Sequence, residues 1–462
     1  MSMAITRNRI PRFILRTGLA TVAVAAVGAI LLATVTSLRS DLGGTDVSAA
    51  EPQFEVWLVD QSNSFGKTFG GAIHIFNGTE LSGNSASSAQ PEVTIDLSGA
   101  TASLCLANTG ANPVRPHMLF FNAARTHAIL SFVASGHVVI FDTTSRAPVG
   151  CVRMTPGAGG AIQAHAAVPS PDGSHIIVAN QNGKLLQRIT AMYAINSYVL
   201  DAGATLDLAN CTTPNGVACQ AAGIRPDNAP ICPIIDSSGL FTFVTLRGGG
   251  LFVVDPSATP MAIVAEYDAA TIHGNGCGGQ QAGGSMWLNS GAGTLANLSE
   301  FDVYRFPLTG YAASNPVNMP APTVVFSDDP VAPNERDGHG MIATKHDRFM
   351  WLFDRHRAVA EIFEIATNRH TGTVPMRLNG IDVTPDLGDL SPSGNRIFVS
   401  LRGPKPLTGD PHNSTGPVPG LGVIQVNGAS GKGSLKAVIP ITNVDAGGVE
   451  RADAHGIRVL VK

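Results

Sequence analysis

From residue 54 onward the chain runs as short apolar stretches rich in β-branched and aromatic residues, broken by Gly, Pro, Asn, Asp and Ser, with no long run at the helical period. That pattern predicts strands and turns throughout. One unit is clear from Arg115: RPHMLFF, THAILSFV, GHVVIFD and APVGCVRM follow one another, four strands in about 40 residues, the size of a propeller blade. The next unit, QAHAAVPSPDGSHIIVAN, overlays the first without a gap, so that His165 falls on His117 and His175 on His127.

The same register sets RDGHGMIATKHDRFMWLF with His339 on His165 and Phe349 on His175. In VTPDLGDLSPSGNRIFVS it puts Asp386 at the histidine position, and Ser391-Pro392-Ser393-Gly394 replaces the turn Ser170-Pro171-Asp172-Gly173. RPDNAPICPIIDSSGLFTFVTL with GGGLFVVD repeats the Arg-Pro start with a small insertion, and HGNGCGGQQAGGSMWLNS with EFDVYRFPL is the loosest unit. The last start, ADAHGIRVLVK, supplies His455 and one strand, and its missing partners lie at the other end as FEVWLVDQ, GAIHIFNG and EVTIDLS. The fold class expected is therefore all-β, a seven-bladed β-propeller with three-plus-one strand closure, which removes an open sheet edge. Strands of this length also suit a sandwich, but the gapless overlays favour a ring.

The units HAAVPSPDGSHIIVAN and DLGDLSPSGNRIFVS, with Asp453-Ala454-His455-Gly456-Ile457 at the end, resemble the YVTN-type propeller repeats over about residues 54–462. The resemblance implies a propeller of exported and surface-layer proteins, with lactonase-like and nitrite-reductase-like propellers as wider kin. It speaks for fold far more than for activity.

Residues 1–50 read differently. Arg7, Arg9, Arg12 and Arg16 precede Thr17–Ser37, a run without charge and long enough to cross a hydrocarbon core of about 30 Å. A membrane anchor is one reading. A cleaved signal peptide is the other, with Val47-Ser48-Ala49 as small residues for the cleavage site. Both export the domain at 51–462, placing it in the periplasm, and the only membrane contact expected is through this N-terminal helix. The six cysteines are even in number and form no CxxC pair, which favours disulfides in an oxidising compartment. Cys211 and Cys219 close a short loop and are the best pair. Cys277 is expected to bridge, for instance to Cys232, with copper ligation as the alternative, and Cys151 in VGCVRM has a buried free thiol as its other reading.

A charged fraction of 14% and a net charge of −4 give no basic field for phosphates, so nucleic acid is not an expected partner. A protein or small-molecule ligand is. The recurring chemistry is at the start of the innermost strands, where His117, His165, His339, His455 and Asp386 share one repeat position and so converge on the channel. Neutral imidazole with carboxylate suits copper, iron or another transition metal, or a non-covalent haem; the competing reading is that these histidines only fix the strand starts by bonding neighbouring backbone. Adjacent pairs, His117 with His455 or His165, are the better ligand pairs. Arg115, Arg225 and Arg336 recur just before inner strands, and Arg115 and Arg336 are candidate cofactor-carboxylate binders, against salt bridges between blades. His273-Gly274-Asn275-Gly276-Cys277 adds a donor-rich loop near the same face.

No GxSxG elbow, P-loop, Rossmann fingerprint or CxxCH haem attachment is present. Two functions compete: a binding or scaffold propeller acting at its channel face, and a metal- or haem-dependent oxidoreductase or cofactor-holding accessory protein. A lactone hydrolase is third, since no Glu/Asn/Asp ligand set stands out.

Overall fold

The second strand of each repeat is apolar at almost every position, as in His127–Phe132, Thr242–Leu246 and Phe349–Asp354, and each of these is buried along its whole length. A strand reads this way when both faces of its sheet are covered, and in a propeller both faces of each blade pack on neighbouring blades. Outermost strands such as Thr323–Ser327 and Arg369–Pro375 are largely exposed. The chain is described by a computed structural model at residues 51–462, apart from 84, 292–300, 313, 315–318, 329–334 and 408–414. The anchor or signal reading of residues 1–50 therefore lies outside the described residues. Among the described residues, no helix is long and apolar enough to cross a membrane.

Seven four-stranded antiparallel sheets are present among the described residues. Blade 1 is shared between the chain ends: Phe54–Asp60, Ala72–Asn77 and Val93–Asp96 supply its outer strands, and Ala454–Val461 pairs with Phe54–Asp60 as the innermost. The inner strands of blades 2, 3 and 4 are Pro116–Phe121, Ala164–Pro169 and Pro230–Ile235. Those of blades 5, 6 and 7 are Gly279–Ala282, Gly338–Ala343 and Pro385–Leu390. The seven-bladed ring with three-plus-one closure is thus the architecture.

One local device shapes the channel. In six of the seven blades the pairing of the inner strand with the second strand shifts register at the same place, between Pro116 and Leu119 in blade 2 and between Pro385 and Gly388 in blade 7. Such a bulge sets two residues against one, so two successive residues face the axis instead of alternate ones. In three blades a hydroxyl fills the bulge and ties it to the next blade. Ser131 Oγ accepts from Met118 N at 3.3 Å and donates to His165 O at 2.9 Å. Thr245 links Cys232 N to Gly276 O at 3.3 and 2.5 Å, and Ser400 links Leu387 N to His455 O at 3.0 and 2.6 Å.

The glycines after His339 and His455 have a cause in this crowding. A Cβ on Gly456 would stand 2.5 Å from His117 O, and one on Gly340 2.3 Å from Asp386 O. Only glycine lets adjacent inner strands approach so closely.

Two disulfides join Cys105 to Cys151 and Cys211 to Cys219. The second is the expected pair. The first corrects the free-thiol reading of Cys151: its partner sits on a helix, Ala100–Thr109, that the pattern did not predict because its buried face is only Thr101, Ala102 and Cys105.

Candidate metal centre in the central channel

The shared repeat position brings His339, Asp386, His455, His117 and His165 together in ring order on blades 6, 7, 1, 2 and 3. The rings of His117 and His455 stack at 3.9 Å and 12°, His117 meets His165 edge-on at 4.5 Å, and His339 lies 5.4 Å from His455. His117, His339, Asp386 and His455 are all buried.

Each nitrogen has a defined situation. His455 Nδ1 is 2.6 Å from Asp386 Oδ2, and His117 Nδ1 is 2.8 Å from Gln61 Oε1. Their Nε2 atoms differ: that of His117 stands 3.3 Å from His165 Nε2, and that of His455 is buried without a hydrogen-bond partner. His339 Nε2 is 3.1 Å from Asp386 Oδ1 but off the hydrogen-bonding direction. A ring held at one nitrogen by a carboxylate or amide, with the other free, is the arrangement of metal-ligating histidines.

Burial pushes the imidazole of His117 well below its ordinary range, with His455 and His165 adding to the effect. Burial does the same to His339, and it brings His165 down to about 3. These rings are neutral at physiological pH, the state that binds metal. Burial opposes the charge of Asp386, but His455, His339, Arg402 and Arg355 outweigh it and hold the carboxyl well below its usual range. The two arginines are themselves anchored: Arg355 forks onto Asp337 at 2.8 and 2.8 Å, and Arg402 onto Asp453 at 2.7 and 2.8 Å. Gln61 Nε2 donates to the same Asp453 at 2.5 Å.

One residue further along the inner strands the lining turns apolar and sulfur-rich. Cys232 Sγ and Cys277 Sγ lie 3.8 and 4.0 Å from Met118 Sδ. One ligand atom each from His165, Cys232 and Cys277 falls within 4.8 Å of the others, as do those of His339, Asp386 and His455. The expected Cys232–Cys277 bridge is not formed, and both are buried free thiols. Cys232 is on the inner strand of blade 4 and Cys277 lies just before that of blade 5, two strands that no ladder of hydrogen bonds draws together, and the thiols meet Met118 instead. A cavity of about 240 Å³ beside them is lined from all seven blades, including Phe120, Val168, Ile234, Leu387 and Arg458.

The remaining candidates sit elsewhere. Arg336 is buried in blade 6, bonded to Asp354 at 2.8 Å, to Asp328 at 2.6 Å and to Glu361, and stacked on Phe301. Arg225 is paired with Glu266 at 2.8 Å. Arg115 reaches the Leu407 carbonyl at 2.7 Å. His273 Nδ1 is 2.7 Å from Asp302 and half-buried. The arginines that do meet the site, Arg355 and Arg402, follow the second strands. The overlay of inner-strand starts did not reach them.

The fold and channel define a seven-bladed propeller with a buried imidazole and thiol lining. Solved propellers of similar shape include a putative 6-phosphogluconolactonase from Bacteroides fragilis, at TM-score 0.54 and 13% identity over 90% of this chain and 99% of that one. The periplasmic gluconolactonase of Pseudomonas aeruginosa matches at TM-score 0.53 and 12% identity over 88% and 100%, and a Lactobacillus plantarum protein at 0.54 and 12% over 88% and 99%. At such identity the likeness is one of fold. No family model matches the chain, and no curated protein matches it.

Proposed function

We propose that this protein is an exported binding propeller that holds one transition-metal ion on the imidazoles of its central channel. The supporting observation is the 3.3 Å between the Nε2 atoms of His117 and His165, since two ligands at about 2.0–2.1 Å from a tetrahedral ion stand roughly 3.3 Å apart. Gln61 fixes the tautomer of His117 so that its Nε2 is the atom turned to His165. Export is supported by the two disulfides, which persist outside the cytoplasm.

Titration of metal-free protein with Co²⁺ tests the reading. Wild type should develop the visible bands of a tetrahedral cobalt site at one ion per chain. His117→Ala and His165→Ala should lose them, and His273→Ala, which lies off the channel, should keep them. Absence of Co²⁺ and Zn²⁺ binding by wild type in equilibrium dialysis would return the channel to a scaffold role.

A further inference from the structure

The sulfur-lined arc of the channel belongs to no pairing scheme the fold requires. Two buried thiols in a chain that closes two other disulfides lie beside a thioether and an imidazole, each contributed by a different blade. Their packing alone would be served by alanine or valine, as at Ala166 and Val168 in the same lining. We propose that Cys232, Cys277, Met118 and His165 form a site for a monovalent copper ion, distinct from the imidazole site and sharing only His165 with it.

Three features carry this. The donors are soft, and a thioether among thiolates selects cuprous copper over the harder divalent ions. The spacing fits: sulfurs held at about 2.3 Å from one tetrahedral ion stand roughly 3.8 Å apart, against 3.8 and 4.0 Å from Met118 Sδ to the two thiols. Charge also balances. Two thiolates and Cu⁺ leave one negative charge, and the guanidinium of Arg458 lines the same cavity, held over the Phe120 ring at 4.5 Å. Ala166, Ile234 and Leu387 give the cavity an apolar wall. Binding is an exchange in which each thiol gives up its proton as an S–Cu bond forms, with no change in the oxidation state of sulfur or copper.

The test is anaerobic competition between reduced, metal-free protein and the chromophoric cuprous chelator bicinchoninate, followed with the ultraviolet thiolate-to-copper charge-transfer band. Wild type should withdraw one Cu⁺ per chain and show the band. Cys232→Ser/Cys277→Ser should do neither while unfolding at a temperature close to wild type, and Met118→Leu, which keeps the volume, should bind at least tenfold more weakly. Cu⁺ uptake that survives the double serine variant, or uptake without the band, overturns the site, as does failure of wild type to compete; the thiols are then an apolar sulfur cluster. Co²⁺ titration of the same double variant separates this site from the imidazole site: Co²⁺ bound without Cu⁺ sinks only the thiol site, and Cu⁺ bound by wild type without Co²⁺ sinks only the imidazole reading.

Discussion

The two arcs of the channel are both built at the starts of the inner strands and solve opposite problems. On blades 6, 7 and 1, His339, Asp386 and His455 are enclosed by Arg355 and Arg402, which are in turn pinned by Asp337 and Asp453. Every charge there has a protein partner. On blades 2 to 5, Met118, His165, Cys232 and Cys277 are weakly polar donors with one cation, Arg458, beside them. A buried ion lattice is strained badly when one member is removed, because the partner is left charged and dry. A set of neutral soft donors loses little. The first arc is therefore expected to carry fold specificity, and the second is free to carry a ligand.

Both arcs hang on the C-terminal strand, which brings His455 to one and Arg458 to the other. Deleting the last ten residues removes that strand and exposes the edge of Phe54–Asp60, so the truncated chain should aggregate or lose its cooperative thermal transition. The next largest effect belongs to the ion lattice: Arg402→Met takes away the guanidinium that forks onto Asp453 and faces Asp386 and should cost about 3–5 kcal/mol in denaturant unfolding. Cys232→Ser, in the other arc, should cost far less in the same measurement. If the two losses are alike, the distinction between the arcs fails.

Acid should weaken the fold through the same histidines. On unfolding, His165 takes up a proton near pH 6.5 that the folded protein refuses until about 3, and His117 and His339 are displaced in the same direction. The unfolded chain binds more protons in that window, so stability is full above about pH 6.5 and falls as pH drops toward 3. Melting temperatures measured between pH 7.5 and 4.5 should decline, and His165→Gln should flatten the decline. The smallest effect is at the clamps between blades, where Ser400→Ala should cost about 1 kcal/mol, measurable as a shift of the denaturant midpoint.

The fold was readable because a repeat states it many times: the overlay of His117, His165, His339, Asp386 and His455 put five blades in register, and the single strand at the C-terminus demanded closure. The imidazole arc followed from the same register. The sulfur arc did not, since Cys232 stands one residue beyond the shared position and Cys277 lies in blade 5, the loosest unit, whose inner strand carries no bulge. Ser131, Thr245 and Ser400, each 13 residues beyond the bulged amide they cap, were equally periodic but looked like ordinary strand residues. The helix bearing Cys105 and the arginines at Arg355 and Arg402 gain their roles from partners distant in sequence, which no local pattern reports.

Metal content of protein purified from its own host without chelators tests the central claim most directly. The account predicts about one divalent transition-metal ion per chain in wild type, lost on replacing His117 by Ala with the propeller still folded. Wild-type protein that carries no divalent metal and takes up none on dialysis against Zn²⁺ or Co²⁺ would contradict it.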